Sequence, residues 1–142
     1  MISDWQDKDG AIRIGLAADH GGFGKKEFLR GLLEAREGLA VTDFGPSQLN
    51  PDDDYPDFAN ALCRAMIHGR IDCGILICRS GIGMSIVANR YHGIRAALAE
   101  NAGKAKASRA HNCSNILVLD GDNMGDDAMK EVVIAWLETP YS

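Results

Sequence analysis

The stretch that decides the fold is Gly74–Ser85, with the sequence GILICRSGIGMS. Its first four residues form an apolar run typical of a buried strand, and residues 86–90 continue it as the body of a helix. Cys78 follows the strand, and the start of the helix offers unpaired backbone N–H groups and a partial positive charge. The pattern therefore predicts a thiol beside an anion-binding turn, with a core cysteine before an ordinary turn as the alternative.

Strand and helix patterns alternate on both sides of this stretch. The predicted strands are 11–18, 39–44, 71–77, 93–99 and 115–119, and the predicted helices are 24–37, 57–68, 82–90, 102–110 and 126–137. Continuous apolar strands, each followed by a helix, predict a three-layer α/β/α sandwich around a Rossmann-like, five-stranded parallel sheet. In such folds ligands bind beyond the carboxyl ends of the strands.

Length, charge and cysteine content narrow the class of protein. The chain has 142 residues, which predicts a single domain over residues 12–142 after a disordered or extended leader, residues 1–11, that contains Trp5. A net charge of −5 argues against nucleic acid and anionic membranes as partners. The leader lacks the basic and apolar regions of a signal peptide. Four cysteines without a C-x-x-C pair favour reduced thiols in the cytoplasm over disulfides or a zinc site.

The glycine-rich turns match no familiar phosphate-binding motif. The first turn, residues 19–26, fails as a dinucleotide fingerprint because Glu27 occupies the place of the last glycine. A tyrosine-phosphatase-type loop would place Arg six residues after Cys78, where Met84 stands. We therefore expect no nucleotide cofactor, no metal and no phosphoryl-enzyme chemistry.

Five segments resemble the RpiB/LacA/LacB family of sugar-phosphate isomerases, and the ribose-5-phosphate isomerase B branch most. They occur in the family's order and spacing at residues 14–22, 54–56, 74–89, 93–97 and 108–112. The resemblance covers about residues 12–138. It implies a cofactor-free aldose–ketose isomerase that acts on a sugar or sugar phosphate through a cis-enediolate. It also implies a homodimer, or a tetramer, with shared active sites, which needs an apolar helix face. The helix around Ile86 and Val87 is the candidate, although its periodicity does not distinguish an interface from the core.

The resemblance also implies roles for individual residues. Cys78 is the base that moves a proton between C2 and C1, and we expect the Ser80–Met84 amides to raise its thiolate fraction. His111 opens the sugar ring and comes from the neighbouring subunit. Ser80 relays a proton between the enediolate oxygens, and Asp19 accepts from a sugar hydroxyl or orients its neighbour. The predicted substrate-binding residues are His20, Tyr55, Arg79, Gly81, Ile82, Gly83, Asn112 and Asp122.

Arg79 and Asp122 depart from the family pattern, which has Gly after the cysteine and a phosphate-binding Arg in the turn after strand five. The family's tail with two further arginines is also missing after residue 138. A carboxylate opposes a phosphate where Arg would bind it. Either the substrate differs from ribose 5-phosphate, or Arg79 binds the anion with Asp122 orienting it; the second explanation predicts an Arg79–Asp122 ion pair. The alternative for the whole chain is a non-catalytic or regulatory carbohydrate-binding relative that has lost the phosphate-binding arginines.

Overall fold

Both faces of a parallel sheet are covered by helices. The computed structural model describes Trp5, residues 8–49, Asp52 and residues 55–142. The strands are β1 (Ile12–Ala18), β2 (Leu39–Gly45), β3 (Cys73–Cys78), β4 (Ala96–Leu98) and β5 (Ile116–Asp120), in the order β2-β1-β3-β5-β4. The helices are α1 (Phe23–Glu34), α2 (Tyr55–Ile67), α3 (Ile82–Asn89), α4 (Ala102–Asn112) and α5 (Asp126–Glu138). In the described part of the chain, no helix combines the length and apolarity needed to cross a membrane.

The position of β3 at the centre of the sheet explains why its sequence is apolar throughout. All six of its residues are buried, and successive side chains point to opposite faces of the sheet. Ile75 and Ile77 belong to the core cluster that includes residues of α1, α4 and α5. Leu76 and Cys78 belong to the cluster that includes residues of α2 and α3. These two cores confirm the predicted α/β/α class.

The ends of several elements differ from the sequence prediction. β4 covers only Ala96–Leu98, because the residues just before it bond to a side chain: Asn115 accepts from the Arg95 N–H at 2.8 Å and donates to the Gly93 carbonyl at 2.9 Å. Backbone pairing with β5 begins at the Arg95 carbonyl, which accepts from the Ile116 N–H at 3.4 Å. The Asn89 side chain bonds both the N–H and the C=O of Ala96, at 2.8 and 2.9 Å. A short 3-10 turn, His20–Gly22, which was not predicted, precedes α1. α1 itself ends at Glu34, three residues early.

Trp5 differs from the expectation of a poorly ordered leader. Its side chain is only 5% exposed, and its ring centroid lies 5.0 Å from that of Trp136. Burying a large aromatic surface against another ring is favourable enough to hold this residue on the domain. Residues 1–4, 6 and 7 of the predicted leader lie outside the described residues.

All four cysteines are buried and unpaired, in agreement with the prediction of reduced thiols. Cys63 and Cys73 are fully buried, as expected for core residues. Burial raises the pKa of Cys63 to about 12 and raises that of Cys73 as well, because the charged thiolate loses its water. These two thiols are therefore protonated and unreactive at neutral pH.

Candidate active site

The loops after β1, β3 and β5 meet at the carboxyl edge of the sheet. The Gly121 N–H donates to the Cys78 carbonyl at 2.7 Å, and the Asp19 N–H donates to the Ile77 carbonyl at 3.3 Å. A Cβ at Gly121 would lie 3.1 Å from the Cys78 carbonyl oxygen and 3.2 Å from that of Gly21. The three loops therefore approach each other so closely that a side chain at 121 would force a shift.

Cys78 ends β3 and turns its sulfur towards main-chain amides. Its Sγ accepts a hydrogen bond from the Gly81 N–H at 3.0 Å. Gly81 precedes α3 with φ +82°, a left-handed conformation that favours glycine and folds the turn back towards the sulfur. The amides of Met84 and Ser80 also act on the thiol. Cys78 is only 5% exposed, so the sulfur is largely enclosed.

The pKa of the Cys78 thiol is nevertheless raised above its ordinary value. Burial is the largest cause, and the negative charge of Asp19 adds to it. The amides of Met84, Gly81 and Ser80 lower the pKa without offsetting the burial. The amides therefore act in the predicted direction, but burial outweighs these three hydrogen bonds, so the net pKa of the thiol is raised.

Asp19 and His20 lie at the same edge as Cys78. The Asp19 carboxylate caps the 3-10 turn by accepting from the Gly22 N–H at 3.1 Å, and Asp19 is only 7% exposed. His20 is half-buried in the first position of that turn. Among the described residues, no group of three or more His, Cys, Asp or Glu side chains could hold a metal ion.

The start of α3 supplies the other predicted ligands of the turn. Ser80 is exposed, and its Oγ accepts from the Ile82 N–H at 3.2 Å. Gly81 is buried and Gly83 is half-buried, so their backbones line the turn without side chains. Tyr55 opens α2, and its side chain lies outside the described part of the structure.

Arg79 and Asp122 form the predicted ion pair. The Arg79 Nε–H donates to Asp122 Oδ2 at 3.1 Å, and the Asp122 N–H donates to the Arg79 carbonyl at 3.1 Å. The Asp120 carboxylate shapes this turn by accepting from the Asp122 and Asn123 amides at 2.9 and 3.0 Å. The Arg79 stem lies over Gly21, where a Cβ would come within 2.1 Å of its Cγ. Both charged side chains are substantially exposed, at 68% and 45%, so the pair adds little stability and orients a surface guanidinium.

His111 and Asn112 lie at the opposite edge of the sheet. They are the last two residues of α4, and the Asn112 carbonyl accepts from Nε–H of Arg95, the residue before β4, at 2.6 Å. Both are exposed. The five paired positions of β3 and β5 separate the two edges by about 13 Å. Within one chain, therefore, His111 does not reach Cys78.

An exposed apolar face borders the Cys78 turn. Ile82 and Ile86 lie one helical turn apart on α3 and are 56% and 58% exposed. Leu98 of β4 is 42% exposed and adjoins them, because its Cδ1 would lie 2.5 Å from a Cβ at Gly81. We call Ile82, Ile86 and Leu98 the α3 face.

The family model described as Ribose/Galactose Isomerase matches residues 14–142. This chain belongs to the ribose/galactose isomerase family. Ribose-5-phosphate isomerase B of Escherichia coli (strain K12) is 38% identical over 130 residues, which are 91% of this chain and 85% of that protein. D-erythrulose-4-phosphate isomerase of Pectobacterium atrosepticum is 34% identical over 130 residues, 92% of this chain and 85% of that protein.

A solved structure agrees with these sequence matches. Ribose 5-phosphate isomerase RpiB from Thermotoga maritima superposes with a TM-score of 0.88 at 40% identity, covering 92% of this chain and 88% of that one. The ribose/galactose isomerase fold and the aldose–ketose isomerase class are therefore confirmed. The non-catalytic alternative is not favoured.

Two residues of this family member received no role from the sequence. Arg109 is fully buried, and its guanidinium carbon lies 3.6 Å from the centroid of the Trp5 ring. A signal was present: Arg109 follows the buried Ala105 by four residues, which places it on the inward face of α4. A tryptophan in a polar leader was the second signal.

Proposed function

We propose that this chain interconverts an aldose phosphate of four or five carbons and the corresponding ketose phosphate through a cis-enediolate. The observation that carries the proposal is the Cys78 sulfur, 3.0 Å from the Gly81 amide at the edge where Asp19 and Arg79 also lie. Isomerisation needs a base for a carbon-bound proton and donors for the oxyanion that develops. The names of the relatives from Escherichia coli and Pectobacterium support substrates of this size.

In this proposal Cys78 takes the proton from C2 of the aldose and returns it to C1. A thiol with a raised pKa ionises less at neutral pH, but each thiolate that forms is a stronger base. Binding of a polar substrate against the Gly81 and Met84 amides would compete with the sulfur for the same donors. Because a thiol base has to stay reduced, the proposal places the protein in the cytoplasm.

The remaining residues of the carboxyl edge act on the oxygens of the sugar. Ser80 carries a proton between O1 and O2 of the enediolate, as its exposed hydroxyl can both donate and accept. The backbone amides of Gly81, Ile82 and Gly83 stabilise the negative oxygen. Asp19 and His20 bind hydroxyl groups, and Tyr55 lines the site from the start of α2.

Arg79 binds the phosphate in this proposal. Of its five N–H donors, Asp122 engages the Nε–H, so the two terminal amino groups can serve an anion as a fork. The ion pair thereby supports the explanation in which Arg79 takes over anion binding and Asp122 orients it. Because Asp122 fixes the orientation of the Arg79 guanidinium, the phosphate can bind it from one direction only. The distance from this phosphate position to Cys78 then favours sugars of one length over others.

A second copy of the chain completes the site. His111 lies about 13 Å from Cys78 along the strands of one chain. A two-fold axis through the α3 face and perpendicular to the strands would run the partner's strands in the opposite direction and bring its amino edge to this carboxyl edge. We therefore assign ring opening to His111 of the second copy, with Asn112 beside it, and burial of the α3 face to the homodimer interface.

Deuterium exchange tests the proposal without requiring net conversion. The protein is incubated in heavy water with ribose 5-phosphate, erythrulose 4-phosphate, galactose 6-phosphate and free ribose, and label at C1 or C2 is measured by NMR. We expect label in at least one sugar phosphate, none with Cys78→Ala, and full label with Cys63→Ala, which removes a remote buried thiol. Label that persists in Cys78→Ala would contradict the choice of base, and no label with any sugar would contradict isomerase activity.

A further inference from the structure

The buried Arg109 is held by a nearby residue, Ser114, and by two distant parts of the chain, Trp5 and Thr139. Its Nε–H donates to the Thr139 carbonyl at 3.1 Å, and its Nη1 donates to the Ser114 carbonyl at 2.6 Å. The Trp5 ring covers its guanidinium at 3.6 Å, a cation–π contact between a desolvated cation and an aromatic face. Trp136 packs against Trp5 and donates its indole N–H to the Ser114 hydroxyl at 2.9 Å. We call Trp5, Arg109, Ser114 and Trp136 the arginine clasp.

The clasp is built around the end of the helix that carries His111. Arg109 lies in the last turn of α4, two residues before His111. Its carbonyl accepts from the N–H of Cys113, the residue that closes the helix with φ +50°. The side chain and the carbonyl of Arg109 therefore both hold the turn from which the imidazole projects. His111 itself is exposed, so its position depends on the backbone beneath it.

Trp5 is the part of the clasp that comes from outside the family domain. The family match begins at residue 14, whereas Trp5 lies nine residues earlier and is 95% buried. The face of the guanidinium that Trp5 covers would otherwise meet water. Water there would compete for the donors that bind the Thr139 and Ser114 carbonyls and loosen the helix end.

We propose that Trp5, acting through Arg109, is a positioning residue that fixes the end of α4 and thereby places His111 for ring opening in the site of the second copy. This inference rests on the proposed function, in which His111 opens the ring. Trp5 itself does not contact the substrate in this proposal. Its consequence is selective: only substrates that need ring opening depend on the clasp.

Comparing two substrates distinguishes a loss of His111 positioning from a general loss of structure. Ribose 5-phosphate closes into a furanose. Erythrulose 4-phosphate cannot, because a four-carbon 2-ketose has no O5 to attack C2, and in the corresponding aldose O4 carries the phosphate. We expect Trp5→Ala to lower kcat for ribose 5-phosphate roughly tenfold, with little change in KM, and to leave erythrulose 4-phosphate within about twofold. Trp5→Phe keeps a ring over the guanidinium and should restore most of the lost rate. Leu33→Ala, a core variant of α1, should lower thermal stability without this selectivity.

Hydrogen exchange tests the clasp independently of any substrate. In Trp5→Ala the amides of Cys113 and Ser114, which bond to Arg109 and Ser108, should exchange at least tenfold faster, while the β3 amides keep their rates. Unchanged exchange at Cys113, or equal losses on both substrates, would overturn the inference. An inactive parent protein, or a His111→Ala variant without substrate selectivity, would instead contradict the proposed function, and the exchange result would still decide the role of Trp5.

Discussion

Mixing two inactive variants should restore activity, because the two proposed catalytic groups, Cys78 and His111, lie at opposite ends of the strands of one chain. Cys78→Ala and His111→Ala each destroy every site of their own homodimer if a site takes Cys78 from one copy and His111 from the other. A hybrid dimer of the two variants contains one site with both groups intact and one site with neither. Random reassociation of equal amounts gives half hybrids, so the mixture should reach about a quarter of the parent rate.

The prediction depends on the distance between the carboxyl and amino edges of the sheet. About 13 Å of strand separates the level of Cys78 from the end of α4, and a general acid has to approach the oxygen it protonates to about 3 Å. One chain alone therefore cannot assemble the pair around a small sugar. A shared site is required if both residues act on the same molecule.

The assay measures ribose 5-phosphate turnover after the variants are dissociated in mild denaturant and refolded together, with native mass spectrometry counting the hybrids. Cys78→Ala mixed with the double variant Cys78→Ala/His111→Ala is the matched control, since no hybrid of that pair holds an intact site. Activity that stays at the sum of the parents while half of the dimers are hybrids would refute the shared site.

Three further outcomes follow from the charges and pKa values. Arg79→Ala should raise KM for a sugar phosphate roughly 10- to 100-fold, because charged hydrogen bonds to the phosphate are lost. Asp122→Asn should raise KM only when Arg79 is present. A double-mutant cycle that shows no coupling between the two substitutions would contradict the orienting role of Asp122. The rate of Cys78 alkylation by iodoacetamide should rise about tenfold per pH unit to pH 9, because the pKa of its thiol is raised, and a plateau below pH 8 would contradict this. Although burial opposes it, hydrogen bonds from Arg13 and Lys8 lower the pKa of Asp72 to about 2, whereas the unfolded value is about 4. The stabilisation it gives is therefore present above pH 4 and lost as the pH falls to 2, and urea unfolding of Asp72→Asn should show a smaller loss over that range.

Much of the carboxyl edge could be predicted from local sequence. Cys78 ends a strand, and a glycine-rich helix start follows it directly in the chain. The thiol therefore lies beside the amides of that helix start because they are neighbours in sequence. The Arg79–Asp122 pair was also predictable, because residues that follow neighbouring parallel strands meet at one edge of the sheet. The start of β4 was less predictable, since the Asn115 side chain binds the backbone of Gly93 and Arg95 just before it.

The direction of the Cys78 pKa shift and the role of Trp5 could not be predicted in this way. Counting nearby amides predicts a lowered pKa, but burial of the sulfur, with the negative charge of Asp19 added to it, decides the sign. Trp5 lies in a polar segment without periodicity, and it becomes core only because Arg109 and Trp136 form a surface for it.

The amino-acid sequence by itself determined the alternation of strands and helices, since burying a sheet on both faces demands continuous apolar runs that any reader can see. It also determined which residues follow each strand. Only the tertiary structure decided how far His111 lies from Cys78 and that Trp5 packs over Arg109. Those relations depend on distances and on loss of water between segments remote in the chain, and no local pattern encodes either quantity.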